Sequence, residues 1–154
     1  MAEKMTAAKK QQFEEELHYL KNEGTREAGK NIQEARAFGD LSENYEYKVA
    51  REEKEKLEAR IIELENILAN CEIYERIPSS ETVLLGSIVT IEDEDGKKSK
   101  YEIVGKYESD PNTVPKRISD VSPLGKALYG AAKDEEVDFT HNGRTITYVI
   151  VDIE

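Results

Sequence analysis

Apolar residues recur every three or four positions through the first half of the chain and switch to a shorter period in the second. Phe13, Leu17, Leu20, Ala28, Ile32 and Ala35 fall on one side of a helical projection, which predicts an amphipathic helix from Thr6 to about Ala37. No proline interrupts it, but Gly24 and Gly29 weaken its middle, where a bend is expected. The next run is more regular. Tyr47, Ala50, Lys54, Leu57, Ile61, Leu64, Leu68 and Cys71 alternate by three and four without a slip, the heptad seam of a coiled coil. Lys54 is its polar member, and its aliphatic stem can still cover apolar surface.

Between these runs lies Phe38-Gly39-Asp40-Leu41-Ser42-Glu43-Asn44. Gly39 permits a backbone conformation closed to other residues, so the first helix can end there. Asp40 and Ser42 are both candidate caps for the second helix. Two matched helical patterns joined at such a break predict an antiparallel hairpin over residues 1–75, with an acidic tip at 38–44. A parallel dimer of single helices is the alternative, and the Gly-Asp break argues against it.

Helical periodicity stops near Glu75. Residues 76–82, with Pro78, Ser79 and Ser80, read as a linker, and 83–154 as a second domain. Val83 to Ile91 reads as a strand, Asp93-Glu94-Asp95-Gly96 as a hairpin turn and Ser99 to Val104 as the returning strand. Arg117-Ile118 opens a short strand. Ser122 caps a short helix that begins with Pro123 and closes at Gly130. Glu136 to Thr140 and Arg144 to Ile153 flank the turn dipeptide Asn142-Gly143. The fold class is therefore α+β in two domains, the second a small, mostly antiparallel sheet with one short helix.

Composition narrows the functional classes. The 154 residues carry a net charge of −11, spread over both halves, so broad phosphate attraction is excluded and a protein partner fits better. No apolar run approaches the ~20 residues that span a bilayer, and the N-terminus has no signal-like apolar core, so a cytoplasmic, membrane-free protein is expected. Cys71 is the single cysteine; on the helical seam it reads as a buried structural thiol, and no disulfide framework can form. The free chain is expected to be a monomer.

The chemistry concentrates at the tip. Asp40 and Glu43 have a purely structural reading as a capping box, with Asp40 as cap and Glu43 at the third helical position. They also have a functional one: two carboxylates on one turn can hold a hard cation such as Mg²⁺. Mg²⁺ takes about six ligands, and His18 and His141 lie far away in sequence, so the pair is half a site that another macromolecule must complete. Arg36 and Arg51 flank the tip, either as phosphate-binding groups or as members of solvated ion pairs. Tyr47 fits the seam, whereas Tyr45 is free to stack on a base or to cover the end of the hairpin.

Glu34-Ala35-Arg36, Gly39-Asp40-Leu41-Ser42-Glu43-Asn44, Glu46-Tyr47 and Ala50-Arg51-Glu52 resemble the tip of the bacterial transcript cleavage (elongation) factors of the GreA/GreB family. Val104-Gly105, Asp110-Pro111 and Ser122-Pro123-Leu124 extend the resemblance over nearly the whole chain, in a form closer to GreA. The resemblance implies a coiled coil that enters the secondary channel of RNA polymerase. Asp40 and Glu43 would share a Mg²⁺ with the polymerase and position water for cleavage of the 3′ end of backtracked RNA. Arg36, Arg51 and Tyr45 would contact that nascent RNA. An FKBP-like C-terminal domain would dock at the channel through Ser122, Pro123 and Leu124. The factor is then an activator and not an enzyme by itself. The sequence departs from the family at Gly125, where alanine is common, and in Ala131 to Glu135.

Three alternatives stand beside this reading, one of them a holdase-type coiled-coil chaperone, which would leave the specific acid pair at the tip unexplained. A related protein could occupy the same channel to inhibit or regulate transcription without cleavage, which the intact Asp40 and Glu43 disfavour. A prolyl isomerase would need an apolar, aromatic-lined pocket, for which the C-terminal half offers only Phe139 and a few tyrosines.

Overall fold

In a computed structural model describing residues 3–40, 43–77 and 81–154, the heptad runs form helices and the alternating runs form a sheet. The chain divides into a helical unit, Lys10–Cys71, and a sheet unit made of Met1–Lys9 with Glu72–Glu154. The start of the chain therefore belongs with the sheet, and the boundary falls a few residues before the one at 75 read from periodicity. Most of the expected linker, Pro78 to Ser80, lies outside the described residues.

The first helical pattern is split. α1 (Ala7–Tyr19) and α2 (Thr25–Arg36) are joined by a π-helical turn, Leu20–Gly24. The irregularity foreseen around Gly24 is thus a widened turn, in which Thr25 N–H donates to the Leu20 carbonyl five residues back. Side chains reinforce it: Thr25 Oγ1 donates to Leu20 O at 2.8 Å, and Asn22 Nδ2 to His18 O at 2.7 Å.

α3 (Tyr45–Ala69) runs back along both. Asn44 meets Ala35, Leu57 meets Gly24 and Arg60 meets Glu16, so the paired segments run in opposite directions. Phe13, Ala35, Ala50, Leu64 and Ile67 are buried in this unit. Leu57, Ile61 and Leu68 on the seam are half-buried, and Lys54 is exposed, in an ion pair with Glu58. Arg60 clamps α3 to α1: its Nε and Nη2 donate to the two Glu16 oxygens at 2.9 and 3.0 Å, with its guanidinium 5.9 Å from the Phe13 ring centre. Cys71 is not on the helix. α3 stops at Ala69, Asn70 caps it, and Cys71 opens a short strand, half-buried.

That strand, β2 (Cys71–Ile73), pairs with β1 (Glu3–Met5), which helical periodicity did not foresee. Three residues are too few to display a period. Met5 is nevertheless fully buried, and its carbonyl accepts from Tyr74 N–H at 3.0 Å. The main sheet has the order β5-β4-β3-β7-β6, built from β3 (Ile88–Glu92), β4 (Lys98–Val104), β5 (Lys116–Ser119), β6 (Glu136–His141) and β7 (Arg144–Ile153). β4 and β5 are parallel, the remaining neighbours antiparallel. The strand expected from Val83 begins only at Ile88, because the chain first turns at Gly86, where φ is +91°. Val89, Ile91, Ile103, Leu128, Val137 and Ile150 form the core under α4 (Pro123–Leu128).

Candidate functional site at the helical turn

α2 ends at Arg36, and Phe38 N–H still reaches back to Ala35 O at 3.1 Å. Gly39 then takes φ +130° with open space where a Cβ would stand, so the glycine serves the backbone conformation and not a tight contact. Glu43 N–H donates to Asp40 O at 3.3 Å, which places the two acids at either end of one turn. Both are exposed. Leu41 and Ser42, the latter a candidate cap, lie outside the described residues.

The capping box expected from Asp40 and Glu43 is not how α3 begins. Its cap is Asn44, whose Oδ1 accepts from Tyr47 N–H at 3.0 Å. The Asn44 Nδ2 donates to the Ala35 carbonyl at the end of α2, and the residue is 8% exposed. An amide carries both an acceptor and a donor, so one side chain ties the start of one helix to the end of the other; a carboxylate could do only half of this. Asn44 was legible in principle, since asparagine ranks with aspartate as a cap.

The flanking residues separate into two sides. The Arg36 guanidinium lies 5.7 Å from the Tyr47 ring centre, a cation–π contact, and Arg51 pairs with Glu55 at 3.5 Å. These arginines are exposed and near the turn. Tyr45 points elsewhere: it is 73% exposed and lines a groove between α2 and α3 together with Phe38, Val49 and Ala50.

Two exposed carboxylates on one turn suit Mg²⁺ as hard oxygen donors, but only as part of a set. Among the described residues there is no group of three or more His, Cys, Asp or Glu able to hold a metal.

In the sheet unit, Ser122 caps α4 by accepting from Gly125 N–H at 3.1 Å, and its hydroxyl donates to Ser119 O at 2.7 Å. Leu124 packs half-buried against the core. Pro123 lies between these two anchored residues, and the exposed side chains here include Val121, Pro123, Lys126 and Tyr129. Gly125, the departure noted above, has a physical reason. A Cβ there would stand 1.9 Å from the Ser119 carbonyl, so α4 could not lie this close to β5 with any larger residue.

Residues 3–73 match the family model described as transcription elongation factor, N-terminal, and residues 78–154 match transcription elongation factor, GreA/GreB, C-term. The chain belongs to the GreA/GreB family of transcription elongation factors. Within it, transcription elongation factor GreA of Bacillus subtilis strain 168 is 44% identical over 150 residues, covering 97% of this chain and 94% of that protein. GreA of Rickettsia bellii strain OSU 85-389 is 40% identical over 146 residues, covering 94% and 89%. Among solved structures, the GreA factor homolog Gfh1 of Thermus thermophilus is 31% identical, covers 100% of this chain and 99% of that one, and superposes with a TM-score of 0.45. Among the described residues, no helix of this GreA/GreB family member is long and apolar enough to cross a membrane.

Proposed function

We propose that this chain stimulates RNA polymerase to cleave the 3′ end of backtracked RNA, which restarts arrested elongation from a new 3′ hydroxyl. In this reading α1 to α3 act as a coiled-coil hairpin that enters the secondary channel, and the sheet unit is an FKBP-like module that docks at its mouth around Pro123. The chain is an activator whose catalytic centre lies in its partner.

The observation that carries the reading is the turn itself. α3 is capped by Asn44, and Asp40 and Glu43 are both exposed on the turn just before it. Asp40 and Glu43 would contribute carboxylate oxygens to a Mg²⁺ shared with the polymerase and accept a hydrogen bond from the attacking water. The ion, when bound, supplies activation of water and stabilisation of the leaving oxygen in phosphodiester hydrolysis. Arg36, placed by its contact with Tyr47, and Arg51 would lie beside the phosphates of the extruded RNA. Tyr45 would be available to stack on a base.

The test is RNA cleavage in purified backtracked complexes with the wild-type chain, Asp40→Asn and Glu43→Gln. The wild type should shorten the transcript and restore elongation. Both amide variants should bind the polymerase and leave the RNA intact. Full cleavage by the double amide variant would remove the carboxylates from the mechanism. A wild-type chain that binds and blocks without cleaving would make it a regulator of the same channel.

A further inference from the structure

α2 and α3 leave a groove of about 660 Å³ between them, running from Gly24 and Leu57 up to Phe38 and Tyr45. It exists because the facing positions are small. Ala28, Ala35 and Ala50 line it where the lower half of the unit buries larger side chains such as Leu64 and Ile67, so the short side chains leave a furrow open along one flank. Its upper rim is apolar and open to solvent, with Phe38 and Tyr45 each 73% exposed and Val49 beside them. Residues 24 to 38 of a helix span about 20 Å, enough to seat roughly four turns of another helix.

Charge is sorted across this part of the molecule. Glu27 and Glu34 lie along the groove on α2, and Glu46 and Glu53 along it on α3, each pair seven residues apart. No lysine or arginine lines the groove. Glu34 pairs weakly with Lys30, at 3.9 Å and well exposed; Glu27, Glu46 and Glu53 have no ion pair among the described residues. Two cations near the turn belong to other contacts, Arg36 on Tyr47 and Arg51 with Glu55.

An apolar strip between two rows of carboxylates at two-turn spacing is complementary to one kind of object. We propose that the groove receives a cationic amphipathic α-helix of the RNA polymerase, with apolar residues on the alanine floor and Lys or Arg at two-turn spacing facing the glutamates. The proposal rests on the elongation-factor reading and adds a second contact surface to it, separate from Asp40 and Glu43. Nucleic acid is disfavoured as an occupant, because four carboxylates would face its phosphates.

A photo-crosslinking residue placed at Val49 in the full chain, bound to purified elongation complexes, identifies the occupant by mass spectrometry of the adduct. The expected adduct lies in a helical, basic polymerase segment with apolar residues at three- and four-residue spacing. An adduct to RNA or DNA, to a second copy of this chain, or to a polymerase segment without that pattern overturns the proposal. Glu46→Lys with Glu53→Lys, at exposed positions where helicity by circular dichroism should be unchanged, should weaken binding to elongation complexes roughly tenfold or more. Glu46→Gln with Glu53→Gln should fall between, and unchanged binding by the lysine pair overturns the proposal. Wild-type cleavage alongside a failed groove test would sink the groove alone. A wild-type chain that neither binds polymerase nor stimulates cleavage would sink both readings.

Discussion

At Glu108, in the short 3₁₀ turn after β4, three donors converge on one carboxylate. Thr6 N–H and Thr6 Oγ1 donate to Oε1 at 2.7 and 2.6 Å, and Tyr74 Oη donates to Oε2 at 2.8 Å. At the helical turn, Asp40 and Glu43 carry the same group into solvent, beside a helix start already capped by Asn44. The difference teaches how to tell a structural acid from an available one. Glu108 has spent its lone pairs on the protein, joining β1 and the segment after β2 to the sheet. Asp40 and Glu43 are exposed beside a helix start that Asn44 caps, on a surface that a partner can reach.

Four measurements bear on that contrast. Asp40→Asn with Glu43→Gln should reduce stimulated RNA cleavage on the order of a hundredfold, the scale of removing a positioned electrostatic group. Its denaturation midpoint should barely move, by less than about 0.5 kcal/mol in stability; a large loss would make the tip acids structural after all. Glu108→Ala should do the reverse. It strands Thr6 and Tyr74 without their acceptor and should lower unfolding stability by about 2–3 kcal/mol, while cleavage per folded molecule stays close to wild type.

Asn44→Ala lies between the two regions. Loss of the cap should cost about 1–2 kcal/mol in the stability of the helical unit, read by thermal melting at 222 nm. It should also weaken cleavage at equal folded protein, because the turn that presents the acids loses its tie to Ala35. Tyr74→Phe gives the smallest effect and a pH signature. Burial raises the Tyr74 pKa above the usual tyrosine value, with Glu108 adding to the rise and the Gly105 N–H opposing it. A folded pKa above the unfolded one contributes stability that is full below about pH 10 and is lost as pH rises from there through the folded value. Wild-type stability should therefore fall above pH 10, and the phenylalanine variant should show a shallower decline in urea midpoints over the same range.

Much of this could be read from residues alone where the signal is repeated or chemically restrictive. Eight seam positions from Tyr47 to Cys71 make one helix hard to miss, although its end was overrun by two residues. Asn142-Gly143 and Ser122-Pro123 name their turn and cap outright, and both stand as expected: Asn142 and Gly143 have φ of 51° and 77°, and Ser122 caps α4. β1 does not show in the sequence pattern because three residues carry no period and its order comes from β2, far along the chain. The π-helical turn was placed near Gly24 but not identified, since side-chain bonds to backbone carbonyls leave no distinctive spacing. The cap at Asn44 was hidden by a better-known pattern four residues earlier. The acids were legible as a pair; that both are exposed and that Asn44 caps the helix after them depends on the folded turn.

The contact between Thr6 and Glu108 spans 102 residues. A growing chain lengthens at about 5–20 residues per second, so Thr6 waits roughly 5–20 s for the turn that carries Glu108, whereas β1 can meet β2 earlier. The helical unit between them, Lys10–Cys71, is complete well before then and depends on contacts within itself. Synthesis order therefore favours a folded helix pair before the contact between Thr6 and Glu108 can close.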